Sequence, residues 1–327
     1  MMIFDRELFR RDVRRDVRNC ALFLFFFYAV YLLATIIMMA VVVLSDPAAM
    51  AGILSGDLSN INNLDLTESV TDAMAGAGGL LSIVAITTGS CVFFILRKRR
   101  FITDLAMPAA EPMTPKIFVV LVLATQAIQL VYGLIVMLID KLLPEGMSLM
   151  ENYGDAMEGL STPTGIVYIV LIGPIFEELI FRGAVMGSLR RYGDNFAILI
   201  SSLFFGFYHM VLLQIPFGFL MGLLLGYAAA RWSLRTSIIL HIIVNGLSVL
   251  LNETGNEDYA TVGGVAMILC TISAFVLLIR WRDVFKARVR SGAAYYPGTY
   301  ANGFSSVALW IFLAVMAAAG GVMMSLL

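Results

Sequence analysis

An all-α, polytopic transmembrane helix bundle of about nine spans is the fold class this chain predicts, and three observations predict it. Sixty per cent of the 327 residues are apolar against 14% charged, with a mean hydropathy of +0.89; a soluble domain carries about a quarter charged residues. Apolar runs recur at about 20–44, 79–96, 117–139, 164–181, 196–213, 216–231, 236–251, 260–279 and 306–327, each close to the ~20 residues that cross ~30 Å of hydrocarbon as a helix. Alternation with a period of two, the mark of a membrane β-barrel, is absent.

The first run reads as an uncleaved span, because mostly charged residues precede it and no small-residue cleavage pattern follows it. The stretch 45–78, rich in Asp, Asn, Gly and Ser, reads as an external loop. The stretch 101–116, with Pro108, Pro112 and Pro115, reads as a linker. A polar region at 281–305 carries Tyr295, Tyr296, Pro297 and Tyr300, as an interfacial segment does. Gly218, Gly222 and Gly226, spaced by four, permit close helix packing. Cys20, Cys91 and Cys270 lie scattered in or beside apolar runs and fit neither a disulfide framework nor a cysteine-based zinc site.

Charge fixes a direction. With the gaps between spans assigned to alternate sides, 21 of the 22 Lys and Arg residues fall on one side and only Lys141 on the other. The positive-inside rule then predicts a multi-pass protein with a cytoplasmic N-terminus, in the cell membrane. The opposite gaps are acidic (Asp46, Asp57, Asp65, Glu68, Asp72; then Glu145, Glu151, Asp155, Glu158). The net charge of −1 hides this asymmetry and offers nothing to nucleic acid. No phosphate-binding glycine loop is present, which removes ATP-driven transport. The Arg97–Arg100 cluster suits anionic lipid headgroups.

Ionisable groups in hydrocarbon cost several kcal/mol unless paired or hydrated, and so mark function. Both histidines of the chain, His209 and His241, lie in apolar runs, and a third run carries Glu177 and Glu178. Glu178 and Arg182 are four apart and share a helical face, whereas Glu177 points about 100° away. Gly173-Pro174, just before them, predicts a bend. His241 and Asn245 are again four apart. Singly, each has a structural reading: snorkelling side chains at a span end, a packed histidine, an interhelical hydrogen-bond pair. Jointly they fit water-mediated amide hydrolysis. A carboxylate takes a proton from water, one imidazole orients that water or holds a metal, and a second His with an Asn amide donates to a developing oxyanion. No Ser or Cys stands beside them in a nucleophile motif, and the HExxH zinc signature is absent.

Glu177-Glu178-x-x-x-Arg182-Gly183, Phe205-x-x-x-His209 and His241-x-x-x-Asn245, in this order on successive spans, resemble the motifs of the CPBP (Abi/CAAX) intramembrane protease family, over roughly residues 165–250. The resemblance implies a peptidase that cuts a membrane-associated, in some members lipidated, substrate at the bilayer. It implies that Glu177 and His209 activate the water and that Glu178 and Arg182 support the site. His241 with Asn245 would bind the oxyanion or help hold a metal, and a divalent ion such as zinc would fall to Glu177, His209 and His241. Four to five helices over 161–255 would form the catalytic core, with 1–160 supplying an N-terminal segment and three scaffold spans, and 256–327 two C-terminal spans. The same family holds non-proteolytic scaffold and bacteriocin-immunity-type proteins, which is the competing reading. A proton-coupled transporter is weaker, because no repeated halves are present. The three motifs raise one geometric demand. His209 lies about 21 Å and His241 about 9 Å from the basic end of their spans at helical rise, so a shared site requires tilted or offset helices.

Overall fold

The computed structural model describes residues 6–45, 50, 64–97, 110–144, 162–252 and 257–326. Among them are eleven helices and no strand. They are α1 (Arg6–Ser45), α2 (Leu64–Arg97), α3 (Pro115–Asp140), α4 (Pro163–Tyr192), α5 (Asp194–Tyr208), α6 (Gln214–Arg231), α7 (Leu234–Asn252), α8 (Glu257–Arg280), α9 (Arg282–Ser291), α10 (Thr299–Phe304) and α11 (Val307–Leu326). Each of the nine apolar runs falls on one of these helices, which makes the chain an all-α membrane bundle.

Among the described residues, α1, α3, α4 and α8 are long and apolar enough to cross a bilayer by length and composition alone. The expected loop at 45–78 is helical from Leu64 onward. Leu, Ala, Met and Glu in that stretch are good helix formers, and polarity decides where a helix leaves hydrocarbon rather than where it ends. The acidic residues Asp46, Asp57, Glu145, Glu151, Asp155 and Glu158 lie outside the described residues.

Helix α4 sits at the centre, touching α5, α7, α2 and α1. The main core is aromatic. Phe27 and Tyr28 of α1, Phe181 of α4, Phe204, Phe205 and Tyr208 of α5 and Phe312 of α11 are buried together. A smaller cluster joins Leu121 of α3, Leu225 and Ala228 of α6, Trp232 at the end of α6 and Leu240 of α7. Helix α8, by contrast, leans on α3 and leaves Val262, Ile272, Phe275 and Ile279 more than half exposed, a lipid-facing surface in a bilayer.

Helices α5 and α6 form a hairpin whose close approach rests on glycine. A Cβ on Gly206 would meet the Ile215 carbonyl at 2.6 Å, one on Gly222 would meet Ser202 at 3.0 Å, and one on Gly226 would meet Ile198 at 3.1 Å. The four-residue glycine spacing in α6 is therefore a packing face. The hairpin is short. With 15 residues, α5 rises only ~22 Å, less than the ~30 Å of a hydrocarbon core, and at its turn the Tyr132 hydroxyl donates to the Leu213 carbonyl at 2.6 Å. Backbone polar groups within hydrocarbon need a protein partner.

The gaps assigned to the basic side meet at one end of the molecule. Arg191 pairs with Asp16, Arg288 with Glu111 at 2.6 Å, and Arg190 with Asp194 at 2.7 Å. Arg14 donates to Ser305, the Asn195 amide to the Val289 carbonyl and the Tyr295 N–H to the Tyr192 carbonyl. Segments far apart in the chain thus gather as the alternate-gap assignment requires.

Candidate functional site

The site is built on an irregularity of α4. After one α-turn, residues Tyr168–Ile172 widen into a π-turn; Gly173–Glu178 return to α; Leu179–Met186 widen again. Single π-turns inside α-helices concentrate at functional sites because each rotates the residues beyond it by about one step. Proline explains the first: Pro174 has no N–H to give, and the Gly173 N–H reaches back five residues to the Tyr168 carbonyl. The expected bend at Gly173-Pro174 is thus a change of helical register.

On this frame Glu178 is fully buried and Glu177 nearly so, at 0% and 8% exposure. The two carboxylates have different partners. Glu178 Oε1 lies 2.8 Å from Arg182 Nη1 and 3.0 Å from His241 Nδ1, while its Oε2 accepts from the Ser237 hydroxyl at 2.5 Å. Glu177 has no hydrogen-bond partner among the described residues. Its Oε2 stands 3.9 Å from His241 Nε2, too far for a direct bond and close enough for one water to touch both atoms. Gly173 suits the close turn, since a Cβ there would crowd Tyr168 O at 3.0 Å.

Arg182 is 3% exposed and sits over the Phe205 ring, its Cζ 4.1 Å from the centroid. Its approach to Glu178 is ionic rather than a well-aligned hydrogen bond, as neither Nη group finds an acceptor in good geometry among the described residues. Charge balance and the ring's π-face compensate the burial.

His209 ends α5. Its Nδ1 is 2.8 Å from the Phe205 carbonyl, which can only accept, so Nδ1 carries the proton and Nε2 the lone pair. The next residue, Met210, adopts φ +56°, a left-handed conformation costly for a side chain with a Cβ. It turns the chain at once after the histidine. Gly218 of α6 lets that helix close on the ring, a Cβ there meeting Nδ1 at 3.3 Å.

His241 obeys the same logic, because Glu178 accepts from Nδ1 and leaves Nε2 facing Glu177. Both imidazoles stand edge-on to Phe205, at centroid distances of 4.8 and 5.9 Å. An offset between helices supplies part of the depth demand. Ser237, at the fourth position of α7, has its hydroxyl oxygen 2.9 Å from Leu225 O, which lies six residues inside the end of α6, so α7 starts about one turn deeper than α6 stops.

The structure therefore gathers Glu177, Glu178, Arg182, His209 and His241 around Phe205. Asn245 faces the same helix but is engaged one turn further along, its amide donating to the Ile169 carbonyl at 2.9 Å. Among the described residues no three His, Cys, Asp or Glu side chains converge closely enough to hold a metal ion; the donor set as placed does not form an ion cage. Sequence reasoning passed over Ser237, fully buried beside Glu178. The signal was there, four residues before His241 on the Ser237/His241/Asn245 face of α7. Replacing Ser237 by Ala should cost about 1–2 kcal/mol of stability, checked by thermal unfolding.

A helical membrane protein enclosing a buried, paired-carboxylate and two-histidine site is the class that fold and geometry define. Residues 159–247 match the family described as type II CAAX prenyl endopeptidase, Rce1-like; the match spans every motif residue from Glu177 to Asn245 and establishes the resemblance read from them. The chain is similar to the membrane-embedded CAAX protease MroQ of Staphylococcus aureus (strain USA300), at 27% identity over 188 residues, 54% of this chain and 74% of that protein. It is also similar to YdiL of Bacillus subtilis (strain 168), provisionally named a membrane peptidase, at 32% identity over 101 residues, 30% of this chain and 41% of that protein. No solved structure matches the chain.

Proposed function

We propose that the protein is an intramembrane endopeptidase that hydrolyses a peptide bond of a membrane-associated protein or peptide through a water activated by Glu177 and His209. One observation carries the reading: of two adjacent buried carboxylates, Glu178 is fully engaged while Glu177 is left open, 3.9 Å from His241 Nε2. A carboxylate without a fixed partner is available as a general base. His209 Nε2, with its lone pair, orients the same water.

The proton lost by water passes to Glu177 as oxygen attacks the carbonyl carbon, and Glu177 returns it to the leaving amine. His241 acts on the carbonyl oxygen. With its Nδ1 spent on Glu178, His241 addresses that oxygen through Nε2. Arg182 and Ser237 hold Glu178 in place for this. The basic end faces the cytoplasm in this reading, and a prenylated cysteine near the cut bond is the natural substrate feature, given what the named relatives are.

The test compares membrane proteomes of wild-type and His209→Ala cells. An uncleaved precursor accumulating in the variant supports the reading, and identical proteomes would sink it in favour of a non-proteolytic scaffold. Pretreating membranes with EDTA separates the metal alternative, in which Glu177, His209 and His241 would share an ion: cleavage that survives chelation supports the water mechanism, and cleavage restored only by zinc supports the ion.

A further inference from the structure

We propose that Asn245 is a positioning residue that locks the π-turn of α4, and through it the direction of Glu177. In α4 the carbonyl of Ile169 has two candidate donors, the N–H four residues on and the one five residues on. The first belongs to Gly173 and is spent on Tyr168 O. The second would belong to Pro174, which has none. Ile169 O is thus orphaned by the same proline that widens the turn.

A carbonyl so placed in a membrane-spanning helix must be satisfied from outside the helix. The Asn245 Nδ2 donates to it at 2.9 Å across the α4–α7 interface. Asn245 lies one turn beyond His241 on the same face of α7, so a single helix face fixes α4 at two points, Ile169 O before the glutamates and Glu178 at them. The two contacts bracket Gly173, Pro174 and Glu177.

The register matters because of what it does to rotation. With the extra residue of the π-turn removed, every side chain beyond it swings by about one helical step, roughly 100°. Glu178 would leave Arg182, His241 and Ser237, and Glu177 would leave the gap facing His241 Nε2. Asn245 therefore acts on the chemistry through the backbone that carries the base. This assignment rests on the proposed peptidase reading for its catalytic consequence, and not for its structural content.

The experiment is a double-mutant cycle on the full chain in detergent, with thermal unfolding followed by tryptophan fluorescence, over wild type, Asn245→Ala, Pro174→Ala and the double variant. Restoring an N–H at 174 gives Ile169 O a donor in its own helix. The amide should then be dispensable: Asn245→Ala lowers Tm in the wild-type background and changes it little in the Pro174→Ala background. Equal Tm losses in both backgrounds, or none in either, would overturn the assignment. Kinetics on a farnesylated peptide ending in a CAAX sequence supply the second arm. Asn245→Ala should lower kcat by about 10²-fold, the scale of a misplaced catalytic group, with KM within about twofold. A kcat loss with Tm unchanged would instead place the amide on the substrate. Failure of wild type to cut any peptide would strike the peptidase reading alone, since the unfolding cycle decides the role of Asn245 without substrate.

Discussion

Replacing Glu177 by glutamine should abolish peptide cleavage while leaving the folded protein as stable as wild type. The two halves of that expectation have one cause. Glu177 is nearly buried yet makes no hydrogen bond or close ion pair among the described residues, its Oε2 standing 3.9 Å from His241 Nε2. Removing its charge breaks no contact, so thermal unfolding should shift little. The amide cannot accept a proton from water, and general-base catalysis contributes about 10²–10⁴-fold, so kcat should fall by that factor. Steady-state cleavage in proteoliposomes and a melting curve on the same preparation check both. Full activity in Glu177→Gln would refute the proposed mechanism, and a biological phenotype that survives the substitution would favour the non-proteolytic alternative.

Replacing Glu178 by alanine should behave in the opposite way, with stability lost first. Glu178 is the shared acceptor of Arg182, His241 and Ser237, and its deletion strands a guanidinium that is 3% exposed. Breaking a buried pair from one side costs about 3–5 kcal/mol, because the surviving charge has nothing to offset its desolvation. The variant should express poorly or melt far below wild type. Removing both charges, as in Glu178→Gln with Arg182→Met, should recover much of that stability, since a neutral pair of similar volume leaves no buried charge. Activity should not return, because His241 would still lack its carboxylate. Measured melting temperatures that fall further in the double variant than in Glu178→Ala would show that the pair is not the source of the loss.

The contrast between these neighbours was partly legible in the chain. Four-residue spacing placed Arg182 beside Glu178 and turned Glu177 away, a consequence of helical geometry that any helix over these residues would obey. The same rule placed His241 and Asn245 on one face and predicted the glycine seam of α6. Ser237 belongs to that face as well, but a serine in a span carries no charge to draw notice. What spacing could not supply was the identity of partners across helices: that Glu178 takes His241 Nδ1, that Asn245 reaches Ile169 O and that Phe205 lies between both imidazoles. Such contacts depend on rotation and offset between helices, which no pattern within one helix records.

By itself the sequence determined the material of the protein. Its apolar runs made it a helical membrane bundle, because hydrocarbon forces each backbone to satisfy itself. Its arginines and lysines sorted the gaps into two sides, and the structure gathers one of those sets at a single end. Tertiary structure decided the depth and the division of labour. Helix α5 is too short to cross alone, and the hairpin it makes with α6 ends on partners from α3 and α11. Helix α7 begins a turn deeper than its neighbour ends, which brings His241 down to the level of Glu178. One proline and the turn it widens then set which carboxylate is bound and which is free. The physical reason is the same throughout: composition fixes the energy of burial, whereas only packed helices fix the direction in which a buried group points.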